Sequence, residues 1–98
     1  MIRSAVRLRS VAQNMQFYVY AIYSYSTDKI YVGQTKDLVT RLHDHQHGYS
    51  PYTSGVKDWK LFHKEILPTR SASLKREKQL KSYRGREYLR SLLGGDTD

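Results

Sequence analysis

Hydrophobic positions along the chain follow two periods, and the shorter one is typical of β-strands. Residues 17–24 (FYVYAIYS) and 30–35 (IYVGQT) are rich in aromatic and β-branched side chains, which favours two strands. The polar residues STDK at 26–29 predict a short turn, so the two strands are expected to form a hairpin. Residues 59–66 (WKLFHKEI) show a period of two and predict a third strand.

The longer period, of three to four residues, predicts a helix at 36–48 (KDLVTRLHDHQHG). Leu38 and Leu42 lie four residues apart and form its apolar stripe. The predicted ends of this helix are a polar cap at Thr35 or Asp37 and a terminating Gly48.

Two more helices are predicted after the third strand, at 71–83 with Ser71 as N-cap and at 85–93. Residues 49–58, which precede the third strand, contain Ser, Gly and Pro and predict a loop. The leucines expected to face the core from the last two helices are Leu74, Leu80, Leu89, Leu92 and Leu93.

The resulting order, ββαβαα, predicts an α/β domain with a small three-stranded antiparallel sheet flanked by helices. This domain is expected to span 16–93, between a flexible N-terminal arm at 1–15 and a flexible acidic tail at 94–98. Residues 1–14 contain three Arg, two Ser and no acid. A mitochondrial-type targeting segment is therefore an alternative to a disordered arm, or to an upstream start before Met15.

The excess of basic residues indicates that the chain binds a polyanionic partner. The 98 residues include 17 Lys and Arg against nine Asp and Glu, a formal net charge of +8. In so short a chain this excess favours nucleic acid, with ordinary solubility or an anionic membrane surface as alternatives. Residues 70–90 alone hold eight basic and two acidic residues. The chain has no Cys, which excludes a thiolate zinc site and is compatible with the cytoplasmic location we expect.

Three histidines alternate in the predicted first helix, behind Arg41. Residues i and i+2 of a helix point about 200° apart, whereas i and i+4 share a face. His43 and His47 therefore share one face, and His45 shares a different one with Arg41. A zinc site on His43 and His47 is the alternative, although no third ligand is visible nearby.

Short segments on the two hairpin strands resemble a known motif. AIY (21–23) and YVG (31–33) resemble the two halves of the GIY-YIG motif, which names a nuclease family. Arg41 follows Tyr31 by ten residues and Glu77 follows Arg41 by 36, which also resembles the family pattern. The resemblance extends over most of the chain.

The resemblance implies a metal-dependent endonuclease that hydrolyses phosphodiester bonds in DNA. Tyr23 would be the general base, and Tyr31 would position the phosphate or the attacking water. Arg41 and His45 would stabilise the phosphate, and Glu77 would hold one Mg²⁺ or Mn²⁺ ion. The residues expected to contact the DNA backbone are Lys36, Lys75, Arg76, Lys78, Lys81, Arg84 and Arg86.

The chain departs from the family pattern at a few positions. Ala21 stands where the first half of the motif has Gly, and Val32 replaces Ile, whereas Gly33 keeps the structural glycine of the second half. Many members carry an Asn after the Glu, but no Asn follows Asn14 in this chain. The alternatives are therefore a nuclease-derived nucleic-acid-binding module without turnover, or a domain to which a partner protein supplies specificity.

Each site residue also has a structural interpretation. The tyrosines could be core aromatics, Arg41 a solvated helix residue, and Glu77 half of an i,i+4 ion pair with Lys81. Three aromatic residues could stack on unpaired bases or simply pack: Tyr49, Tyr52 and Trp59.

Overall fold

Three strands and three helices make up residues 16–94, the part of the chain that the computed structural model describes. They are β1 (Phe17–Ser24), β2 (Lys29–Thr35), α1 (Leu38–Gln46), β3 (Trp59–Leu67), α2 (Arg70–Lys81) and α3 (Tyr83–Gly94). The predicted ββαβαα order is confirmed. The predicted arm at 1–15 and positions 95–98 of the predicted tail lie outside the described residues. Within 16–94, no helix is long and apolar enough to cross a membrane.

The sheet has the strand order β2-β1-β3, and both pairings are antiparallel. β1 lies in the middle because it is the most apolar strand: Val19, Tyr20, Ala21 and Ile22 are each at most 1% exposed. The central position pairs its backbone groups on both edges while helices cover both faces. The hairpin register places Tyr20 opposite Gly33.

Alternation along β1 divides the core into two halves. Tyr20 and Ile22 point to one face, where they pack with Trp59 beneath Leu38 and Leu42 of α1. The other half, covered by α2 and α3, contains the buried residues Val19, Ala21, Val32, Leu80 and Leu89. Even-numbered residues of β1, such as Tyr20 and Ile22, therefore face α1. Odd-numbered residues, such as Val19 and Ala21, face α2 and α3.

Side-chain caps begin the first two helices. The Asp37 carboxylate accepts the backbone N–H of Thr40 at 3.1 Å and the Thr40 hydroxyl at 2.7 Å, which confirms one of the two predicted caps. The cap of α2 is Thr69, whose hydroxyl accepts from the backbone N–H of Ala72 at 3.0 Å. The prediction of Ser71 as this cap was therefore wrong, and Ser71 lies inside the first turn.

The inward stripe of α2 is narrower than predicted. Of the five leucines in α2 and α3, Leu80 and Leu89 are buried and Leu93 is half-buried. The side chains of Leu74 and Leu92 are 42% and 45% exposed. Ser73, two helical turns before Leu80, takes the buried position instead, and its hydroxyl donates to the carbonyl of Arg70 at 2.7 Å. Because neighbouring helical residues diverge by about 100°, Leu74 turns away from the core.

The turn of the β1–β2 hairpin is anchored from the far end of the domain. Asp28 adopts a positive φ of 57°, and its carboxylate accepts from the Tyr23 hydroxyl at 2.7 Å. Arg90 of α3 donates to the same carboxylate and to the Asp28 main-chain carbonyl, both at 2.7 Å. The last helix therefore holds the turn that joins the first two strands.

Gly85 lets α2 and α3 approach closely, which generates a stability prediction. A Cβ at position 85 would lie 2.2 Å from the carbonyl oxygen of Gln79 and 2.5 Å from the Cα of Leu80. Gly85→Ala must force backbone apart, so we expect a loss of about 1–3 kcal/mol in the free energy of unfolding, measured in urea. Gly55→Ala is the control, because no atom lies within 4 Å of its Cβ. Equal stability of the two variants would contradict this account of the helix crossing.

Candidate active site

Three aromatic rings meet where β1, β2 and α1 come together. The Tyr20 hydroxyl lies 2.7 Å from His45 Nε2, and both side chains are buried. Tyr31 of β2 completes the group, with its ring centroid 4.9 Å from that of His45 and 6.4 Å from that of Tyr20. Tyr31 and His45, both predicted site residues, lie together here, and the second tyrosine in the group is Tyr20.

Gly33 makes room for this arrangement. It lies opposite Tyr20 in the hairpin, and a Cβ at this position would be 2.6 Å from the Tyr20 hydroxyl oxygen and 2.8 Å from its Cζ. Any side chain here would push the Tyr20 ring away from its place beside His45. The prediction of Gly33 as a structural glycine thus gains a physical reason, namely the close approach of an aromatic ring to bare backbone.

The second ring nitrogen of His45 is also bonded. His45 Nδ1 lies 2.8 Å from the hydroxyl oxygen of Thr53, which is 2% exposed. Burial, and secondarily the charge of Arg41, lowers the pKa of His45, while Asp44 opposes the shift. A neutral imidazole carries one proton, so it accepts at one nitrogen and donates at the other. The hydrogen bond with Thr53 thereby fixes the orientation of the imidazole ring. Thr53 was not identified from the sequence, because it lies in an irregular loop.

Tyr20 is the group whose electrostatics connect the remaining site residues. Burial is the main cause that raises its pKa, and the neighbouring Tyr31 and Glu77 act in the same direction. Arg41 acts in the opposite direction, because its positive charge favours the phenolate. The raised pKa keeps the phenol protonated, and in the tautomer whose Nδ1–H donates to Thr53, the Tyr20 O–H donates to His45 Nε2. Arg41 on α1 and Glu77 on α2 thus lie within electrostatic reach of the aromatic group.

Glu77 has the ion-pair partner that its helical spacing suggested. Its Oε2 lies 2.9 Å from Lys81 Nζ, and the Glu77 side chain is 19% exposed. Within residues 16–94, no three His, Asp or Glu side chains come together as a metal cluster. A bound cation would therefore have one protein carboxylate and complete its shell with water and phosphate oxygens. An all-oxygen donor set of this kind fits Mg²⁺ or Mn²⁺, once Lys81 releases the carboxylate.

Tyr23, the predicted general base, does not join the aromatic group. Tyr23 is three residues from Tyr20, an odd number, so it lies on the opposite face of the sheet. There its hydroxyl donates to Asp28, and its ring packs edge-on against Tyr25 and Phe62, with centroids 4.9 and 6.4 Å away. The hydrogen bond to Asp28 is the main cause that raises the pKa of Tyr23. The sheet separates this tyrosine from His45.

Arg76 differs from the other cations predicted to contact DNA. Its Nε and Nη2 donate to the two carboxylate oxygens of Glu65 on β3, at 2.8 and 3.0 Å. His63 lies 2.8 Å from the same carboxylate. Arg76 therefore joins α2 to the sheet through a bidentate pair. The other residues predicted to contact the DNA backbone are exposed: Lys36, Lys75, Lys78, Lys81, Arg84 and Arg86.

The other two histidines of α1 form a separate surface feature. His43 and His47 stack with ring centroids 3.9 Å apart, and His47 Nδ1–H donates to the His43 carbonyl at 2.9 Å. Tyr49 stacks beside His47 at 5.9 Å. The prediction that His43 and His47 share a face apart from His45 is confirmed, and their contacts are with aromatic rings and backbone.

Comparison with known proteins identifies this arrangement. A family model described as the GIY-YIG catalytic domain matches residues 16–88. The chain belongs to the GIY-YIG family. A UPF0213 protein of Haloquadratum walsbyi is 40% identical over 86 residues, which are 87% of this chain and 94% of the relative.

A solved structure gives the same result for the GIY-YIG fold. The solution NMR structure of a UPF0213 protein from Bacillus halodurans is 30% identical to this chain, with a TM-score of 0.51. The match covers 85% of this chain and 90% of the other. The three-stranded α/β architecture is thus shared with this relative, and neither relative's name states an activity.

The hairpin register explains why Tyr23 lies away from the aromatic group. AIY at 21–23 matches the first half of the motif in letters, but its tyrosine lies on the other face of the sheet from Tyr31. The tyrosine that meets YVG across the hairpin is Tyr20, in the tripeptide at 18–20 (YVY). The signal that could have found it is the pleat: Tyr18 and Tyr20 share the strand parity of the face under α1, and of these two only Tyr20 lies opposite Gly33, beside His45.

Burial of neutral His45 predicts a pH-dependent stability. Its ordinary pKa is 6.5, and the folded protein lowers it, so below about 6.5 the unfolded chain binds more protons. The free energy of unfolding should fall as pH decreases from about 6.5 through the folded-state pKa, and should not respond to this group at higher pH. Urea unfolding at about pH 7.5 and about pH 5.5 measures the effect.

Two variants separate His45 from the other histidines in that measurement. His45→Gln should lose much of the difference between the two pH values, while His43→Gln should keep it because that ring is exposed. If His45→Gln retained the full pH dependence, the burial of a neutral imidazole at this position would be refuted.

Proposed function

We propose that this chain is a metal-dependent endonuclease that hydrolyses phosphodiester bonds in DNA. The observation that carries the proposal is the convergence of Tyr20, Tyr31 and His45, within electrostatic reach of Arg41 and Glu77. Hydrolysis of a phosphodiester needs a proton acceptor for water, a cation on the phosphoryl oxygens and a means to orient the reactants. Residues of these three kinds are gathered at one edge of the sheet.

The phosphate is bound by fixed positive charge. Arg41 is exposed on α1, and a guanidinium can donate two parallel hydrogen bonds to phosphate oxygens while remaining protonated. Its influence on the pKa values of both Tyr20 and His45 supports a position beside the reacting group. Exposed lysines and arginines of α2 and α3 attract the rest of the DNA backbone without contacting bases.

The proton from the attacking water passes to Tyr20. Its phenol is a poor base in the state described, since burial raises the pKa. The hydrogen bond to His45 Nε2 provides an acceptor for the phenolic proton, and Thr53 holds the imidazole in the orientation that leaves Nε2 free to accept it. Tyr31, half-buried beside His45, orients the water or the phosphate.

Glu77 is the residue that would hold the divalent cation. Such an ion supplies charge stabilisation to the phosphoryl and leaving oxygens. Its charge would also favour the phenolate of Tyr20, in the same sense as Arg41 does, because Glu77 and Tyr20 interact electrostatically. Sequence specificity in this proposal comes from a partner protein, since the described domain presents phosphate-binding cations rather than a separate base-reading element.

A second candidate function is a nucleic-acid-binding module without turnover. One observation favours it: Lys81 already neutralises Glu77 at 2.9 Å. Such a module would keep the exposed cations and bind DNA with the same salt dependence. Incubation of the full chain with labelled single-stranded, duplex and branched DNA plus Mg²⁺ or Mn²⁺ distinguishes the two, because only the nuclease yields shorter products.

Replacing Tyr20 or Tyr23 of β1 with phenylalanine tests the site directly. Tyr20→Phe removes the hydroxyl that His45 accepts from and should slow cleavage by about 10²- to 10⁴-fold, as expected for a proton-transfer group. Tyr23→Phe removes an equivalent hydroxyl on the opposite face of the sheet and should leave the cleavage rate close to that of the wild type. Initial rates under single-turnover conditions provide the measurement. A severe loss for Tyr23→Phe with normal cleavage by Tyr20→Phe would reverse the assignment.

Neighbouring cations of α2 should differ in their effect on DNA binding. Lys75→Ala and Lys78→Ala each remove an exposed charge, so each should reduce the slope of log K against log salt by about one. Arg76→Ala should leave that slope unchanged and instead lower the free energy of unfolding, because Arg76 is bonded to Glu65. Fluorescence anisotropy at several salt concentrations, in EDTA, measures the slopes. A slope change for Arg76→Ala like those of the lysines would show that the pair with Glu65 opens on binding.

A further inference from the structure

A cavity of about 260 Å³ opens at the edge of β2, next to the candidate active site. Its strand side is lined by Ile30, Tyr31 and Val32, and its helical side by Lys81 and Arg86. Tyr31 connects it to the aromatic group, and Lys81 connects it to Glu77. Two cations and a phenol above an apolar strand suit an anionic group attached to a less polar body, as in a phosphodiester with its sugar.

The two cations of this cavity are held differently. Arg86 Nε donates to the Lys81 carbonyl at 3.3 Å, and its terminal nitrogens have no partner among residues 16–94. Lys81 Nζ is 2.9 Å from Glu77, with 48% of its side chain exposed. The lysine end of this pair is half-exposed while Glu77 is 19% exposed, so the flexible four-carbon stem of Lys81 can turn to a second anion without leaving the surface.

We propose that this cavity binds a backbone phosphate next to the reacting one, and that Lys81 moves from Glu77 to that phosphate when nucleic acid binds. This proposal rests on the proposed nuclease function. In the free protein Lys81 neutralises the carboxylate and repels a divalent cation. In the complex the phosphate holds Lys81, so Glu77 becomes available to the cation. Nucleic acid and metal therefore bind cooperatively, and Lys81 is the residue that couples them.

The cooperativity has a thermodynamic consequence that two separate titrations can reveal. If nucleic acid raises the affinity for metal by some factor, metal raises the affinity for nucleic acid by the same factor. Part of that factor comes from the metal contacting phosphate directly and does not involve Lys81. The part that belongs to Lys81 is the cost of displacing its ammonium from Glu77, and it disappears when the ammonium is removed.

Mn²⁺ affinity measured by electron paramagnetic resonance tests the proposal without relying on cleavage. The full chain carrying Tyr20→Phe serves as parent, because it should bind nucleic acid and metal while cleaving about 10²- to 10⁴-fold more slowly. Lys81→Met keeps the length of the side chain but removes its charge, so Mn²⁺ should bind about two- to fivefold more tightly to the free protein. Lys78→Met, a matched loss of charge on the same helix, and Lys81→Arg, which keeps the charge, should both bind Mn²⁺ like the parent.

A second titration repeats these measurements with a saturating duplex oligonucleotide. The gain in Mn²⁺ affinity that the duplex causes should be smaller in Lys81→Met than in the parent, by the factor already gained in the free protein. Arg86→Met should weaken binding of the duplex in EDTA and leave Mn²⁺ affinity of the free protein unchanged.

The outcomes separate this inference from the proposed function. If Glu77→Gln abolishes Mn²⁺ binding but Lys81→Met binds Mn²⁺ no more tightly than Lys78→Met, the coupling role of Lys81 is refuted and the metal site stands. If Glu77→Gln binds Mn²⁺ as tightly as the parent, the metal site itself is refuted, and the coupling with it.

Discussion

The hydrogen bond between Tyr20 and His45 is the contact on which the rest of the site depends. It joins the central strand to the only described helix on that face of the sheet, and neither group reaches solvent. A buried hydroxyl or imidazole without a partner is costly, so the bond constrains the backbone on both sides of it. Gly33 and Thr53 are then required, one to admit the ring and the other to satisfy its partner.

The two faces of the sheet carry different tasks. The face under α1 holds the polar network that we propose takes part in catalysis. The face under α2 and α3 is largely apolar and is fastened at its border by the bidentate Arg76–Glu65 pair. Glu77, Lys81 and Arg86 bring charge from the second layer to the first at the edge of β2, where Lys81 and Arg86 line a cavity with Tyr31. Stability and chemistry therefore meet at that edge.

Local patterns were enough to predict the elements, because strands and helices are set by periodicity and caps over a few residues. The hairpin, α1 with its Asp37 cap, and the pairing of Arg41 with His45 on one helical face all followed from spacing. Tyr23 did not, because letter matching ignored that three positions along a strand change the face. Thr53 could not be found by pattern, since its partner is eight residues away across a loop. Likewise, the ion pair of Arg76 with Glu65 could not be predicted from local sequence, because Glu65 lies on β3 and Arg76 on α2.

The bond from Arg90 to the hairpin turn joins residues 62 positions apart. The turn it holds lies between the strands that carry Tyr20 and Tyr31, so the last helix completes the support of the first two elements. During synthesis the hairpin emerges long before α3, and without that helix both Leu89 and Arg90 are missing from its outer face. A chain that ended before α3 would lack Arg90, and with it the contact that holds this turn.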